Sequence, residues 1–216
     1  MIKGIRHIIF DLGGVLLNLD YSATERAFEA LDIPDFKERY SQLSQNSFFD
    51  DWETGRIGRE AFCAGIQSVS GNTNLTEEQI LGAWNAMLLD FPIRRLQLLQ
   101  QLRNYYDLIL LSNTNEVHEV AFNEILMRAH GIPSIAHFFD KVYLSHRVGM
   151  RKPDKEIFQR ILEENGLKAE HTLFIDDSPQ HIETAKSLGI QTIFLEPGMT
   201  IEEHIFLPKT GSEEIS

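Results

Sequence analysis

The chain of 216 residues contains a single cysteine, Cys63, so no internal disulfide can form. Long apolar runs are missing too. The first one, His7 to Phe10, stops at Asp11, too early for a signal peptide or a membrane span. Basic residues are scarce: 20 Lys plus Arg face 32 Asp plus Glu, and the net charge is -12. That balance disfavours nucleic acid and anionic membrane surfaces as partners. Together these absences predict a cytoplasmic protein in a reducing compartment with no nucleic-acid or membrane partner. An anionic small ligand would need local positive charge.

What is present is an ordinary globular composition, 43% hydrophobic and 24% charged, enough for one domain or one domain with an insertion. Short apolar runs of strand type recur at 6–10, 108–111, 141–144, 172–175 and 191–195. Helical patterns with apolar residues three and four apart lie between the later runs, at 115–129, 153–164 and 178–188. This alternation predicts an α/β protein with a doubly wound parallel sheet and right-handed crossovers. The first interval breaks the rhythm, because roughly 95 residues separate the first two runs, far more than a crossover requires. Its segments at 21–31, 36–43, 58–69 and 76–88 read as helices, followed by a crossover helix at about 92–104. The expected division is a core of residues 1–17 and 91–216 carrying an inserted helical cap at 18–90. The polar, acidic tail from 198 onward is expected to cap or trail the sheet.

In an open parallel sheet the ligand crevice lies beyond the carboxyl ends of the strands. The residues there are unusually polar. The first run delivers Asp11, the second Ser112 and Asn113, the fourth Asp176 and Asp177, and the segment after the third offers Lys152. Carboxylates gathered from separate strands repel one another unless a hard cation joins them, and Mg²⁺ suits oxygen donors. Lys152 adds a point charge, while Ser112 and Asn113 can hold phosphoryl oxygens or cap the next helix, two compatible roles. Asp177 or Ser178 ahead of Pro179 also makes a good helix start. The eight histidines show no metal-ligand spacing, and only His118 falls near the second polar segment.

The four segments FDLGGVL, LSNTN, GMRKP and FIDDS resemble, in order and spacing, the four motifs of the haloacid dehalogenase-like superfamily. The set is most similar to a bacterial branch that includes an α-glucose-1-phosphatase. The resemblance covers almost the whole chain and implies a Rossmann-like core with a helical cap after motif one. It implies that Asp11 is a nucleophile that becomes phosphorylated and that Ser112 and Lys152 bind the phosphoryl group. It further implies Mg²⁺ as cofactor, held by Asp11, Asp176, Asp177 and the Gly13 carbonyl. The partner implied is a small phosphorylated metabolite.

Gly13 departs from the family pattern, Asp-x-Asp, whose second acid protonates the leaving oxygen and later activates water. General acid–base help is worth roughly 10² to 10⁴ in rate, so its loss predicts slow turnover biased toward good leaving groups such as sugar 1-phosphates. The alternative reading is a weakly active or inactive phosphate-binding regulatory module. A dehalogenase has no use for the Asp176–Asp177 pair, and a phosphomutase would need the missing acid twice. Specificity is expected from the cap segment FFDDWETGRIGREAF, which places Trp52, Glu53 and Arg56 near a Gly-containing turn that could face the crevice, with Trp52 and Arg56 as candidate substrate-binding residues.

Overall fold

The computed structural model describes residues 1–31, 33 and 47–206. Five parallel strands form one sheet: β1 (His7–Phe10), β2 (Asp107–Ser112), β3 (Lys141–Leu144), β4 (Thr172–Asp176) and β5 (Gln191–Phe194), in the order β3-β2-β1-β4-β5. The register pairs Ile8 with Leu108 on one side and with Leu173 on the other. Successive side chains leave opposite faces of a strand, and both faces here are covered. Ile8, Phe10, Leu108 and Leu110 therefore enter one core layer, and Ile9, Ile109, Leu111 and Phe174 the other. This two-sided burial is why the strands read as unbroken apolar runs. The chain reverses its direction of growth between β1 and β4, so the crevice opens beyond the ends of the two central strands.

Nine α-helices are described: α1 (Tyr21–Glu29), α2 (Phe48–Glu53), α3 (Arg59–Ser70), α4 (Glu77–Asn85), α5 (Ile93–Leu102), α6 (Glu116–His130), α7 (Ser145–Val148), α8 (Lys155–Glu164) and α9 (Pro179–Ser187). The helix expected at 36–43 lies outside the described residues. Helix α8, expected from Pro153, begins two residues later with Asp154 in extended conformation as its N-cap. Strand β5 ends at Phe194, and the Leu195 amide turns to the Asp176 carbonyl at 3.0 Å.

Helices α1 to α4 form a layer with its own core. Thr76 opens α4 with a capping box: its hydroxyl accepts from the Gln79 amide at 3.2 Å, and its amide donates to Gln79 Oε1 at 2.9 Å. Trp52 stacks on Phe62 at 4.6 Å and Phe49 on Trp84 at 5.7 Å, with Phe28, Ile66 and Ile80 filling between them. Val117 of α6 joins this cluster, so the helical layer rests on the sheet domain through apolar contact. Two antiparallel connecting segments join the parts. Asn18 and Asp90 pair there, and Arg95 reaches Asn18 Oδ1 at 3.0 Å while its Nε meets the Glu202 carboxylate at 3.1 Å. The chain beyond 198 thus closes on the connection, with Ile201 fully buried.

Candidate active site

Asp11 follows β1 directly, and its amide still donates to the Ile175 carbonyl of β4 at 3.0 Å. The ladder therefore aims a carboxylate out of the sheet end. Lys152 comes from the segment between β3 and α8 and is buried with its ammonium between two acids. Its Nζ lies 2.5 Å from Asp11 Oδ1 and 2.7 Å from Asp176 Oδ2, and it donates to the Leu111 carbonyl at 3.2 Å. Asp176 also accepts from the Ser178 amide at 2.7 Å and sits 2.9 Å from His181 Nδ1. Burial would raise its pKa, but Lys152 and His181 overcome that and hold it at about 2. Asp11 goes the other way. Burial, with Asp176 and Asp177 beside it, pushes its carboxyl up to about 7 despite the attraction of Lys152. The two acidic groups oppose burial in raising the Lys152 pKa, so the ammonium stays charged.

Asp11, Asp176 and Asp177 each bring a carboxylate oxygen within 4.8 Å of the others. One lysine cannot neutralise three acids. The unmet charge, presented on hard oxygens, fits a small divalent cation such as Mg²⁺. Gly14 makes room for this arrangement: φ is +73° there, and a Cβ would stand 2.1 Å from Asp177 Oδ2.

The groups open into a cavity of about 590 Å³ between the sheet end and the helical layer. Ser112, Asn113, Lys152, Asp11, Gly13 and Asp177 all line it. Asn113 is engaged by Lys152, donating to its carbonyl at 2.8 Å and accepting from its amide at 2.9 Å. The cap of α6 is Asn115, whose Oδ1 accepts from the His118 amide at 2.9 Å, and neither Ser112 nor Asn113 serves as that cap.

A model of haloacid dehalogenase-like hydrolases matches residues 5–189. The chain belongs to this family. The hydrolase is 31% identical over 194 residues to a D-ribitol-5-phosphate phosphatase of Bacteroides thetaiotaomicron, covering 90% of this chain and 93% of the relative. A solved structure of a HAD family enzyme from B. thetaiotaomicron in complex with magnesium superposes with TM-score 0.83 at 35% identity, over 91% of this chain and 96% of that one. The wild-type enzyme with magnesium and inorganic phosphate gives 0.78 at 34%, over 90% and 96%. A predicted HAD-like family hydrolase from Porphyromonas gingivalis gives 0.80 at 35%, over 91% and 93%.

Two expected site residues of the hydrolase do not reach the cavity. Trp52 is 1% exposed inside the aromatic core of the helical layer, because its large apolar ring is worth more there than at a wet site. Arg56 points to solvent and pairs with Asp51 at 2.9 Å. Their neighbour Glu53 lines the cavity instead, paired with Arg151 at 3.1 Å. Of the three cap residues that the sequence placed near the crevice, Glu53 alone lines it. Sequence reasoning missed Arg151, although it stands next to Lys152 in a segment already singled out. His118 also lines the cavity, with its Nε2 3.2 Å from the Trp84 carbonyl. Among the described residues no helix is long and apolar enough to cross a membrane.

Proposed function

We propose that this hydrolase dephosphorylates a small sugar or polyol phosphate, with Asp11 attacking phosphorus and becoming transiently phosphorylated. The chain is a phosphohydrolase of the haloacid dehalogenase-like family, and Mg²⁺ is its cofactor. The carrying observation is Lys152 buried between Asp11 and Asp176, with Asp177 beside them at the floor of a roofed cavity. Asp11, Asp177 and the Gly13 carbonyl would hold the metal, with Asp176 positioning Lys152 and backing the site. The bound metal supplies charge neutralisation at the phosphoryl oxygens. Lys152 keeps the Asp11 oxygen oriented and offsets phosphoryl charge, and Ser112 offers its hydroxyl and the β2 end to a phosphoryl oxygen.

The cavity is several times the size of a phosphate group and carries polar side chains on its roof, which suits a polyhydroxylated leaving group. Two forecasts compete for its identity. The glycine at position 13 favours sugar 1-phosphates, whose leaving oxygen needs less protonation. The D-ribitol-5-phosphate phosphatase relative acts on a phosphate ester of a primary alcohol, a poorer leaving group. Phosphate release with Mg²⁺ from a panel of sugar 1-phosphates, sugar 6-phosphates and polyol 5-phosphates, with Asp11→Asn as control, decides between them. Gly13 also favours a second reading, a phosphate-binding regulatory module. Mg²⁺-dependent phosphate binding without release from any ester in the panel is the result that would establish it.

A further inference from the structure

The family's usual proton donor is absent at position 13, and the structure leaves no ready space for one there. A Cβ on Gly13 would lie 2.7 Å from Leu19 Cδ1, so a side chain must first displace Leu19. The leaving oxygen departs on the side away from Asp11, toward the helical layer, as in-line displacement requires. Among the described residues, the carboxyl groups lining the cavity are Asp11, Asp177, Glu25 and Glu53. The first two belong to the floor. Of the roof pair, Glu53 stands beside Arg151, next in the chain to Lys152, with its Oε2 buried.

Three features fix Glu53 in place. Trp52 before it is locked in the aromatic cluster. Thr54 after it donates to the Asp50 carbonyl at 2.5 Å. Gly55 packs so closely on α7 that a Cβ would come within 2.3 Å of the His146 carbonyl oxygen. The segment is therefore seated on the sheet domain, and its carboxyl is presented to the cavity. Glu53 Oε2 is buried and lies 3.1 Å from Arg151 Nη2 without the alignment of a hydrogen bond. The charged or titratable groups facing it are Arg151 and Lys152, Asp50 which shares Arg151, Asp11 and Asp177 across the cavity, Tyr21 and Glu25 of α1, His118 of α6 and His181 of α9. Burial pushes the Glu53 carboxyl up to about 7 against the pull of Lys152, a range in which it can both give and take a proton.

We propose that Glu53, delivered by the helical layer, is the general acid and base of this hydrolase, in place of the acid absent at Gly13. The proposal rests on the phosphatase reading. In the first step Asp11 Oδ bonds to phosphorus, the bond from phosphorus to the leaving oxygen breaks, and the Glu53 carboxyl passes its proton to that oxygen. In the second step the Glu53 carboxylate takes a proton from water while the water oxygen attacks phosphorus. The Asp11–phosphorus bond breaks, inorganic phosphate leaves, and Glu53 is again protonated.

The test is a rapid-quench comparison of wild type and Glu53→Gln on D-ribitol 5-phosphate and p-nitrophenyl phosphate with Mg²⁺. Nitrophenolate leaves without a proton. The first turnover of Glu53→Gln should therefore stay within about 5-fold of wild type on the aryl ester but fall by about 100-fold or more on the polyol ester. A burst of nitrophenolate followed by slow turnover should mark the impaired water step. Equal first-turnover losses on both esters, a change confined to KM, or unchanged rates would each overturn the proposal. Should Glu53→Gln not fold, Glu53→Asp, one methylene shorter and still ionisable, should slow the polyol ester more than the aryl ester. Wild-type silence on both esters would defeat the phosphatase reading and this proposal together. Wild-type turnover with an indifferent variant defeats this proposal alone.

Discussion

Asn113 and Lys152 clasp each other through two hydrogen bonds, side-chain amide to backbone, at 2.8 and 2.9 Å. One stands at the end of β2 and the other ahead of α8, so the clasp sets the peptide from which the buried ammonium reaches Asp11 and Asp176. Asn113→Ala removes both bonds and leaves the Lys152 amide without that partner. The expected loss is about 1–3 kcal/mol of stability. A misplaced catalytic group loses rate steeply, so kcat should fall by roughly 10²-fold. Urea unfolding and steady-state kinetics on one preparation check both, and a variant with full kcat would show that Lys152 is held by its ion pairs alone.

Removing Lys152 exposes the electrostatic conflict of the site. Lys152→Met leaves Asp11 and Asp176 buried without their shared cation, a loss of about 3–5 kcal/mol by analogy with broken buried pairs. Thermal melts should show a large drop in the metal-free variant and partial recovery with Mg²⁺. Asp11→Asn, in contrast, relieves repulsion and should melt no lower than wild type in the absence of metal, with turnover abolished. A Lys152→Met protein as stable as wild type without metal would contradict the charge account.

On the proposed metal site, Gly14 would tie backbone conformation to Mg²⁺ affinity. Its φ of +73° disfavours any side chain, and a Cβ would strike the Asp177 carboxylate. Gly14→Ala should destabilise the protein by about 1–3 kcal/mol. It should also weaken Mg²⁺ binding, read by calorimetric titration, by displacing Asp177. Unaltered affinity would mean that Asp177 is not a direct ligand.

The sheet and the floor of the site were legible in the sequence because buried parallel strands show as apolar runs, and the residues where those runs end must face the crevice. Asp11, Ser112 and Asp176 were read on that logic, and the structure places each at a strand end. The roof was legible only as a segment: Trp52, Glu53 and Arg56 were all placed near the crevice, and Glu53 alone lines it. Whether Trp52 or Glu53 faces the cavity depends on how α2 rolls against Phe62 and Trp84, a tertiary choice with no periodic signal in a six-residue helix. The cap of α6 was also misplaced. Asn113 and Asn115 are both good capping residues, and only the demand of Lys152 for a partner assigns the first elsewhere.

That distinction is measurable in the cap. Trp52→Ala empties a fully buried ring position and should destabilise by about 3–5 kcal/mol. Arg56→Ala removes an exposed pair with Asp51 and should change stability by less than about 1 kcal/mol. Neither residue lines the cavity, so the order of preferred substrates should be the same for Arg56→Ala as for wild type. A reordered preference in Arg56→Ala would restore it as a specificity residue.

His118 supplies a pH signature away from the acidic cluster. Burial holds its pKa at about 4, against an ordinary 6.5, although a bond to the Trp84 carbonyl favours the charged form. Between those values the unfolded chain binds a proton that the folded protein refuses. Stability from this residue is therefore complete above pH 6.5 and is lost as pH falls toward 4, by up to about 3 kcal/mol. His118→Phe retains a flat ring to pack on Trp84, where His118 now stacks at 5.2 Å, and Thr24 still donates to the Trp84 carbonyl. The variant should lose that part of the acid limb in urea unfolding measured from pH 7 to 4. An unchanged slope would show that His118 is already protonated in the folded protein, with its charge stabilised inside the cavity.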